Sequence, residues 1–132
     1  MKKFLPSSIF LFPSNFMRSF EEIEVWRISR TLVKEIYNHF SSCKDYGFKD
    51  QICRAAISIM NNIAEGHERA STKEFIRFLV ISKGSCGEVR SMLIVAPDLN
   101  YIDINKAQKL IEQCRSISKQ LSGFIKYLEK TL

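Results

Sequence analysis

The stretch FKDQICRAAISIMNNIAEGHERASTKEFIRFL, residues 48–79, contains two helical patterns separated by a short polar segment. In the first pattern, Phe48 to Glu65, apolar residues recur at the spacing of one helix face. They are Ile52, Ala55, Ala56, Ile59 and Ile63. We expect Gly66 at the C′ position after this helix, where a left-handed backbone is easiest without a Cβ. Ser71 and Glu74 then form an S-x-x-E capping box, which predicts the start of the next helix.

That next helix is predicted to run to about Ala96 and to end or kink at Pro97. It is apolar nearly all round in residues 75–81, where Arg77 is the one charged exception. Beyond this segment lie small residues that permit close backbone approach, namely Ser82, Gly84, Ser85 and Gly87. Because a glycine costs about 1 kcal/mol in a helix interior, tight packing should compensate there. We therefore expect a central, heavily contacted helix.

A further helix near the C-terminus is predicted to begin at the cap residue Asp103. Its apolar residues trace one stripe, made of Ala107, Leu110, Ile111, Cys114, Ile117, Leu121, Phe124, Ile125 and Leu128. A strip of basic residues lies roughly 160° from that stripe on the 3.6-residue period. The strip consists of Arg115, Lys119, Lys126 and Lys130. Such a strip is usually a solvated face, and the nearby Glu112 and Glu129 weaken the case for phosphate binding.

The first helix is predicted to begin with a capping box at Ser19 and Glu22 and to run to about Phe40. Its apolar residues form two adjoining strips that together cover roughly 220°, wider than the roughly 100° stripe of a surface helix. One strip is Ile23, Trp26, Val33, Tyr37 and Phe40. The other is Val25, Ile28, Leu32 and Ile36. We expect the second strip to be buried against another subunit.

Four amphipathic helices with short connections predict an all-α, antiparallel, up-down-up-down four-helix bundle over residues 19–132. The chain has 132 residues, 45% of them hydrophobic, which fits one compact domain. Residues 1–18 are interpreted as a flexible tail or a mis-annotated start, in which residues 1–16 would lie upstream of the true start at Met17. They resemble a signal peptide poorly, because Pro6 interrupts the apolar run and no cleavage site follows. A transmembrane helix would need about 20 apolar residues, so no membrane is expected.

The net charge of +6 favours an anionic partner, although solubility alone could account for it. The four cysteines are dispersed and form no short pair, which argues against a zinc or redox framework and suits a reducing cytoplasm. His39 and Cys43 could form half a metal site, but no second half is visible. No nucleophile, phosphate-loop or metalloprotease motif is present. We therefore expect no enzyme, no cofactor and no metal.

The densest polar cluster surrounds the turn between the second and third helices. Arg69, Lys73 and Arg77 follow each other at intervals of four and could present cations at the start of the third helix. A structural network that caps and pairs the helix ends is at least as well supported. Its members would be Arg54, Glu65, Glu74 and Arg77.

Three blocks around this cluster are R54-A-A-I-S-I-M-N-N-I-A-E-G66, S71-T-K-E-F-I-R-F-L79 and G84-S-C-G-E88. With F20-E-E-I-E-V-W26 they closely resemble the four-helix bundle protein family, also called the 23S rRNA intervening-sequence protein family. The resemblance runs from about Ser19 to the C-terminus. It implies a four-helix bundle that assembles into a ring-shaped homopentamer without catalytic activity. The accessory variability determinant of diversity-generating retroelements is similar to this family, and binds nucleic acid and a reverse transcriptase.

The resemblance also marks motif positions. They are Trp26, Arg54, Asn62, Glu65, Gly66, Arg69, Glu74, Phe75, Arg77, Ser85 and Glu88. The sequence departs from the family pattern at three residues: Met60 replaces a proline, Cys53 replaces a basic residue, and Pro97 interrupts the third helix.

Two hypotheses about function follow. The first is a nucleic-acid-associated homo-oligomer that contacts RNA or DNA phosphates with little sequence preference, because no aromatic residues interleave with its cations. The candidate contacts are Arg69, Lys73, Arg115, Lys119, Lys126 and Lys130. The second is a structural or adaptor protein that docks a protein partner, such as a reverse transcriptase encoded nearby.

Overall fold

The computed structural model describes residues 19–132 and contains a short 3-10 helix followed by four α-helices. The 3-10 helix is Phe20–Glu22, and the α-helices are α1 (Glu24–His39), α2 (Tyr46–Glu68), α3 (Thr72–Val95) and α4 (Ile104–Glu129). Consecutive helices pack against each other, and α4 closes the bundle against α1. The predicted four-helix bundle is confirmed, and no strand occurs within residues 19–132. The predicted N-terminal tail, residues 1–18, lies outside the described residues.

Three of the four α-helices begin at a side-chain cap. Asp45 accepts a hydrogen bond from the Phe48 backbone N–H at 3.1 Å, and Ser71 accepts one from the Glu74 N–H at 3.1 Å. Asp103 accepts from two backbone N–H groups in the first turn of α4. Each cap satisfies donors that lack a partner within their own helix. The predicted caps at Ser71 and Asp103 are confirmed.

The predicted capping box at Ser19 is wrong. Helix α1 begins at Glu24, its N-cap residue is Ile23, and no side chain caps it. Ile23 has an extended backbone and is 2% exposed, so its burial in the core sets the point where the chain turns into the helix. A local cap motif is worth about 1 kcal/mol, and burial of a large apolar side chain is worth more.

The two apolar strips of α1 are used largely inside the subunit, because α2 packs on one side of this helix and α4 on another. Tyr37 is the one member that is exposed, at 46%. Leu32 and Ile36 are fully buried, and Val25 is 2% exposed. The prediction that these residues contact another subunit is therefore wrong, since they have no exposed surface left to bury. The fourth member, Ile28, is half-buried against the same core.

Only one face of helix α3 is covered by the rest of the bundle. Its inner face packs against α2 and α4, but its outer face exposes Val80, Ile81, Ile94 and Val95. An added Cβ at Gly84 or Gly87 would meet no atom within 4 Å, so the expected tight packing of these glycines is absent from the subunit. Ser82 instead makes the close contact, donating a hydrogen bond to the Ile59 carbonyl oxygen at 2.7 Å.

Candidate nucleic-acid interface

The basic strip predicted on the last helix lies on the outer face of α4. Lys119, Lys126 and Lys130 are exposed, and none of them takes part in the ion pairs found within residues 19–132. Arg115 differs, because Glu112 one turn earlier accepts a hydrogen bond from its guanidinium. The opposite stripe of α4, from Ala107 to Leu128, is buried and fixes the direction in which the lysines point. Three of the four predicted cations are thus available to an anion.

Arg69, the fifth predicted contact, is engaged in the junction between α2 and α3. Its guanidinium lies 2.8 Å from a Glu65 carboxylate oxygen and 3.6 Å from a Glu74 carboxylate oxygen. The same group stacks 4.8 Å from the centre of the Phe78 ring. Arg69 therefore joins the end of α2 to the start of α3. Lys73, the sixth predicted contact, is exposed and forms no ion pair in the described chain.

An ion-pair network does join the two helix ends at this junction, but its cation is Arg69 and not Arg54 or Arg77. Arg54 pairs with Asp50 at 2.7 Å instead of with Glu65, which lies about 16 Å further along the α2 axis. Arg77 forms no ion pair in the described part of the chain, and its guanidinium lies 6.0 Å from the Phe78 ring. The predicted roles of Arg54 and Arg77 are therefore wrong, because Arg69 alone lies within reach of both acidic partners.

Gly66 lies inside α2 and does not end it, because the helix continues to Glu68. The predicted left-handed C′ role is wrong, since no described glycine has a positive φ. An added Cβ would lie 2.7 Å from the Phe78 Cβ and 2.9 Å from the Phe75 Cδ1. The glycine is required because it allows α3 to approach the backbone of α2.

A second set of cations, which the sequence analysis missed, lies on the outer face of α1. Arg27, Arg30 and Lys34 are exposed and form no ion pair with any described carboxylate. They line a groove of about 420 Å³ together with Glu21, Trp26 and Thr31. The spacing of three and four residues is itself a helical signal that could have found this row.

The two basic surfaces lie on neighbouring helices. Helix α1 packs against α4, and Gln113 of α4 donates a hydrogen bond to the Glu35 carboxylate of α1 at 3.1 Å. The two basic surfaces are therefore carried by adjacent helices of the bundle, and both face solvent.

The chain is similar to one protein family and to a solved structure. The profile of the 23S rRNA-intervening sequence protein family matches residues 21–123. The chain belongs to this family. The crystal structure of a protein with unknown function from the S23 ribosomal protein family of Bacteroides thetaiotaomicron is similar, with a TM-score of 0.73 and 25% identity. The match covers 77% of this chain and 98% of that chain. No curated protein matches the sequence.

Several motif positions of the 23S rRNA-intervening sequence family lie in the contact between α2 and α3. The Asn62 side-chain amide donates to the Ser58 carbonyl oxygen at 2.8 Å, and the Ser58 and Ser85 hydroxyls are hydrogen-bonded at 2.9 Å. Glu88 accepts a hydrogen bond from the Gln51 amide. Ser85 and Glu88 join α3 to α2 through these bonds, and Asn62 holds Ser58 within α2, so their place in the motif has a structural explanation.

The buried thiols of this 23S rRNA-intervening sequence protein are also structural. The Cys86 thiol donates to the Cys114 carbonyl oxygen at 3.1 Å, and both residues are buried. The neighbouring Cys86 and burial raise the pKa of the Cys114 thiol, which therefore stays protonated and unreactive. No metal-binding group of histidine, cysteine or acidic residues is found in residues 19–132. None of the helices in this range combines the length and apolarity needed to cross a bilayer.

Proposed function

We propose that this member of the 23S rRNA-intervening sequence family is a non-enzymatic, homo-oligomeric protein that binds RNA or DNA through phosphate contacts. The supporting observation is the row of exposed lysines on α4, Lys119, Lys126 and Lys130, which have no carboxylate partner among the described residues. Lys73 at the start of α3 is available in the same way. Arg69 and Arg115 contribute less, because each is already paired with a glutamate.

Binding of this kind is expected to have little sequence preference. Sequence-tolerant stacking on bases requires exposed aromatic rings next to the cations. The aromatic residues between the α4 lysines, Phe124 and Tyr127, are half-buried and packed against the core. Affinity then comes from the release of counterions and decreases steeply with salt. A cytoplasmic location, where nucleic acid is present and free thiols are stable, is part of the proposal.

Replacing Lys119, Lys126 and Lys130 by glutamine should weaken binding to duplex DNA and RNA. Each lost phosphate contact lowers the slope of log affinity against log salt by about 0.9, so the triple variant should lose about 2 to 3 in slope. The measurement is fluorescence anisotropy of a labelled duplex over a salt series.

The matched control for that experiment removes the same charge elsewhere. Lys44, Lys106 and Lys109 are all exposed, and their triple glutamine variant should bind more tightly than the α4 triple variant. Equal losses in the two variants would contradict a specific role for the α4 row. Undetectable binding by the wild-type protein at low salt would contradict the proposed function itself.

The homo-oligomer in this proposal, a ring of five by family resemblance, needs an interface other than the α1 strip. The outer face of α3 is the best candidate, because Val80 and Ile94 are each 53% exposed and Gly84 and Gly87 leave open space between them. Exposed apolar surface often marks protein contact sites. Assembly would also multiply the net charge of +6 that each copy carries.

Replacing Val80 and Ile94 by lysine should therefore dissociate the oligomer into subunits of 15.3 kDa, as measured by light scattering. Helical content should not change, because both side chains are largely exposed in the single chain. The control is Ile104→Lys, which changes an equally exposed isoleucine at the start of α4 and should leave the assembly intact. A wild-type protein with a mass of 15.3 kDa would contradict the proposal of an oligomer.

The same exposed face of α3 also favours the alternative function, an adaptor that docks a different protein there. Three results together would support this alternative. The wild-type protein would be a monomer without affinity for nucleic acid, it would bind a specific protein partner, and the variant with lysine at Val80 and Ile94 would not bind that partner. A reverse transcriptase encoded beside the reading frame would be the first partner to test. A surrounding rRNA gene would instead favour nucleic-acid binding.

A further inference from the structure

The groove on the outer side of α1 is open to solvent and is lined mainly by charged side chains. Its volume is about 420 Å³, and its lining residues are Glu21, Trp26, Arg27, Arg30, Thr31 and Lys34. Three of these side chains are cations and one is a carboxylate, so the groove attracts anions.

The cations of the groove are not neutralised by the protein. No carboxylate in residues 19–132 lies within ion-pair distance of Arg27, Arg30 or Lys34. The Arg27 Nε donates a hydrogen bond to the backbone carbonyl oxygen of Glu21 at 2.7 Å. This contact fixes the direction of the guanidinium and leaves its terminal nitrogens available.

Trp26 adds an independent observation. Its side chain is nine-tenths buried, its ring lines the groove, and the Arg30 guanidinium lies 6.0 Å from the ring centre. The indole N–H is buried and has no hydrogen-bond acceptor among the described residues. Buried donors are rarely left without an acceptor, and this one belongs to a residue that lines the cationic groove.

The spacing of the cations indicates the class of ligand. Along the helix axis, Arg27 and Arg30 are about 4.5 Å apart, and Arg30 and Lys34 about 6 Å apart. A single phosphate would contact only part of a row that spans two turns. A nucleic acid strand carries repeated negative charges, about every 3.4 Å along the axis of duplex DNA, so that one strand can offer a separate phosphate to each cation of the row.

We propose that the α1 groove is a phosphodiester site, in which Arg27, Arg30 and Lys34 bind successive phosphates of one nucleic acid strand. The inference rests on the proposed function and places a second phosphate contact on α1, the helix that packs beside α4. The strand binds with its charged backbone against α1, because Trp26 is too deeply buried to stack on a base.

Trp26 provides a direct measurement, because it is the only tryptophan in the chain. Titrating the full-length protein with a short oligothymidylate should change the emission of Trp26 as the groove fills. Replacing Arg27, Arg30 and Lys34 by glutamine should abolish this change. It should also lower the salt slope by about 2, at 0.7 for each contact with a single strand.

Two matched variants separate this site from the α4 row. The triple glutamine variant of Lys119, Lys126 and Lys130 should keep the change in tryptophan emission, because its groove is intact. The double variant Arg27→Lys and Arg30→Lys retains the charge and should retain most of the affinity. Circular dichroism checks that every variant is folded, which is expected because all the changed residues are exposed.

The outcomes distinguish the inference from the function on which it rests. Binding of the labelled oligothymidylate without a change in Trp26 emission, and with wild-type affinity in the α1 triple variant, would overturn the groove assignment alone. Inorganic phosphate that fills the groove as tightly as the oligothymidylate would show a site for a single anion and overturn the strand assignment. Absence of all nucleic acid binding at low salt would overturn both proposals.

Discussion

Replacing Gly66 by alanine is expected to destabilise the bundle by about 2 kcal/mol, because the added methyl group has no room. Its Cβ would lie 2.7 Å from the Phe78 Cβ, 2.9 Å from the Phe75 Cδ1 and 3.3 Å from the Phe75 carbonyl oxygen. The Phe78 Cβ is attached to the backbone of α3 and cannot rotate away. The two helices must therefore separate, and the higher helix propensity of alanine, about 1 kcal/mol, offsets only part of the loss.

Displacement of Phe75 would extend the damage across the bundle. Its ring packs edge-to-face against His67 of α2 at 5.9 Å and against Phe124 of α4 at 5.3 Å between ring centres. Each such pair stabilises by about 0.5–1.5 kcal/mol beyond its burial. Moving the ring to make room for the methyl group weakens contacts to two neighbouring helices at once.

Gly123 of α4 is the matched control, because an added Cβ there meets no atom within 4 Å. Alanine at this position should stabilise the protein by about 0.4–1 kcal/mol by restricting the unfolded chain. Urea denaturation should thus shift the two midpoints in opposite directions with similar slopes. A Gly66→Ala protein as stable as the wild type would contradict the close approach of α2 and α3.

The glycines show where local sequence rules stop. Gly66 follows an apolar helical pattern and was expected to end the helix, whereas Gly84 and Gly87 were expected to be tightly packed. The structure shows close packing at Gly66 and open space at the other two. The neighbour that decides each case belongs to another helix, and the spacing of residues on one helix cannot reveal it.

Periodicity was sufficient for the number and type of the helices, because each buries one face at intervals of three or four residues. It was also sufficient for the lysine row of α4, whose members share one face of one helix. The Glu112 partner of Arg115 follows from the same spacing, whereas the Glu74 partner of Arg69 was not predictable in this way. Arg69 joins Glu65 of α2 to Glu74 of α3, and this contact depends on the turn between the helices.

Replacing Leu32 by aspartate is expected to unfold the subunit. Truncation of a fully buried leucine to alanine alone costs about 2–5 kcal/mol, and the aspartate adds a carboxylate to the hydrophobic core. The sum is comparable to the entire stability of a domain, about 5–15 kcal/mol. Far-ultraviolet circular dichroism should therefore show a large loss of helix at room temperature.

Ile28→Asp is the matched comparison, because it places the same charge one helical turn earlier on the same strip of α1. Ile28 is only half-buried, so its carboxylate can reach water and the subunit should stay helical. A strip that contacted another subunit would respond differently: both variants would stay helical and differ from the wild type only in mass. If Leu32→Asp unfolds the protein and Ile28→Asp does not, the wide apolar arc of α1 is buried against α2 and α4 of its own subunit. A helical Leu32→Asp monomer would instead restore the first helix as the surface of assembly.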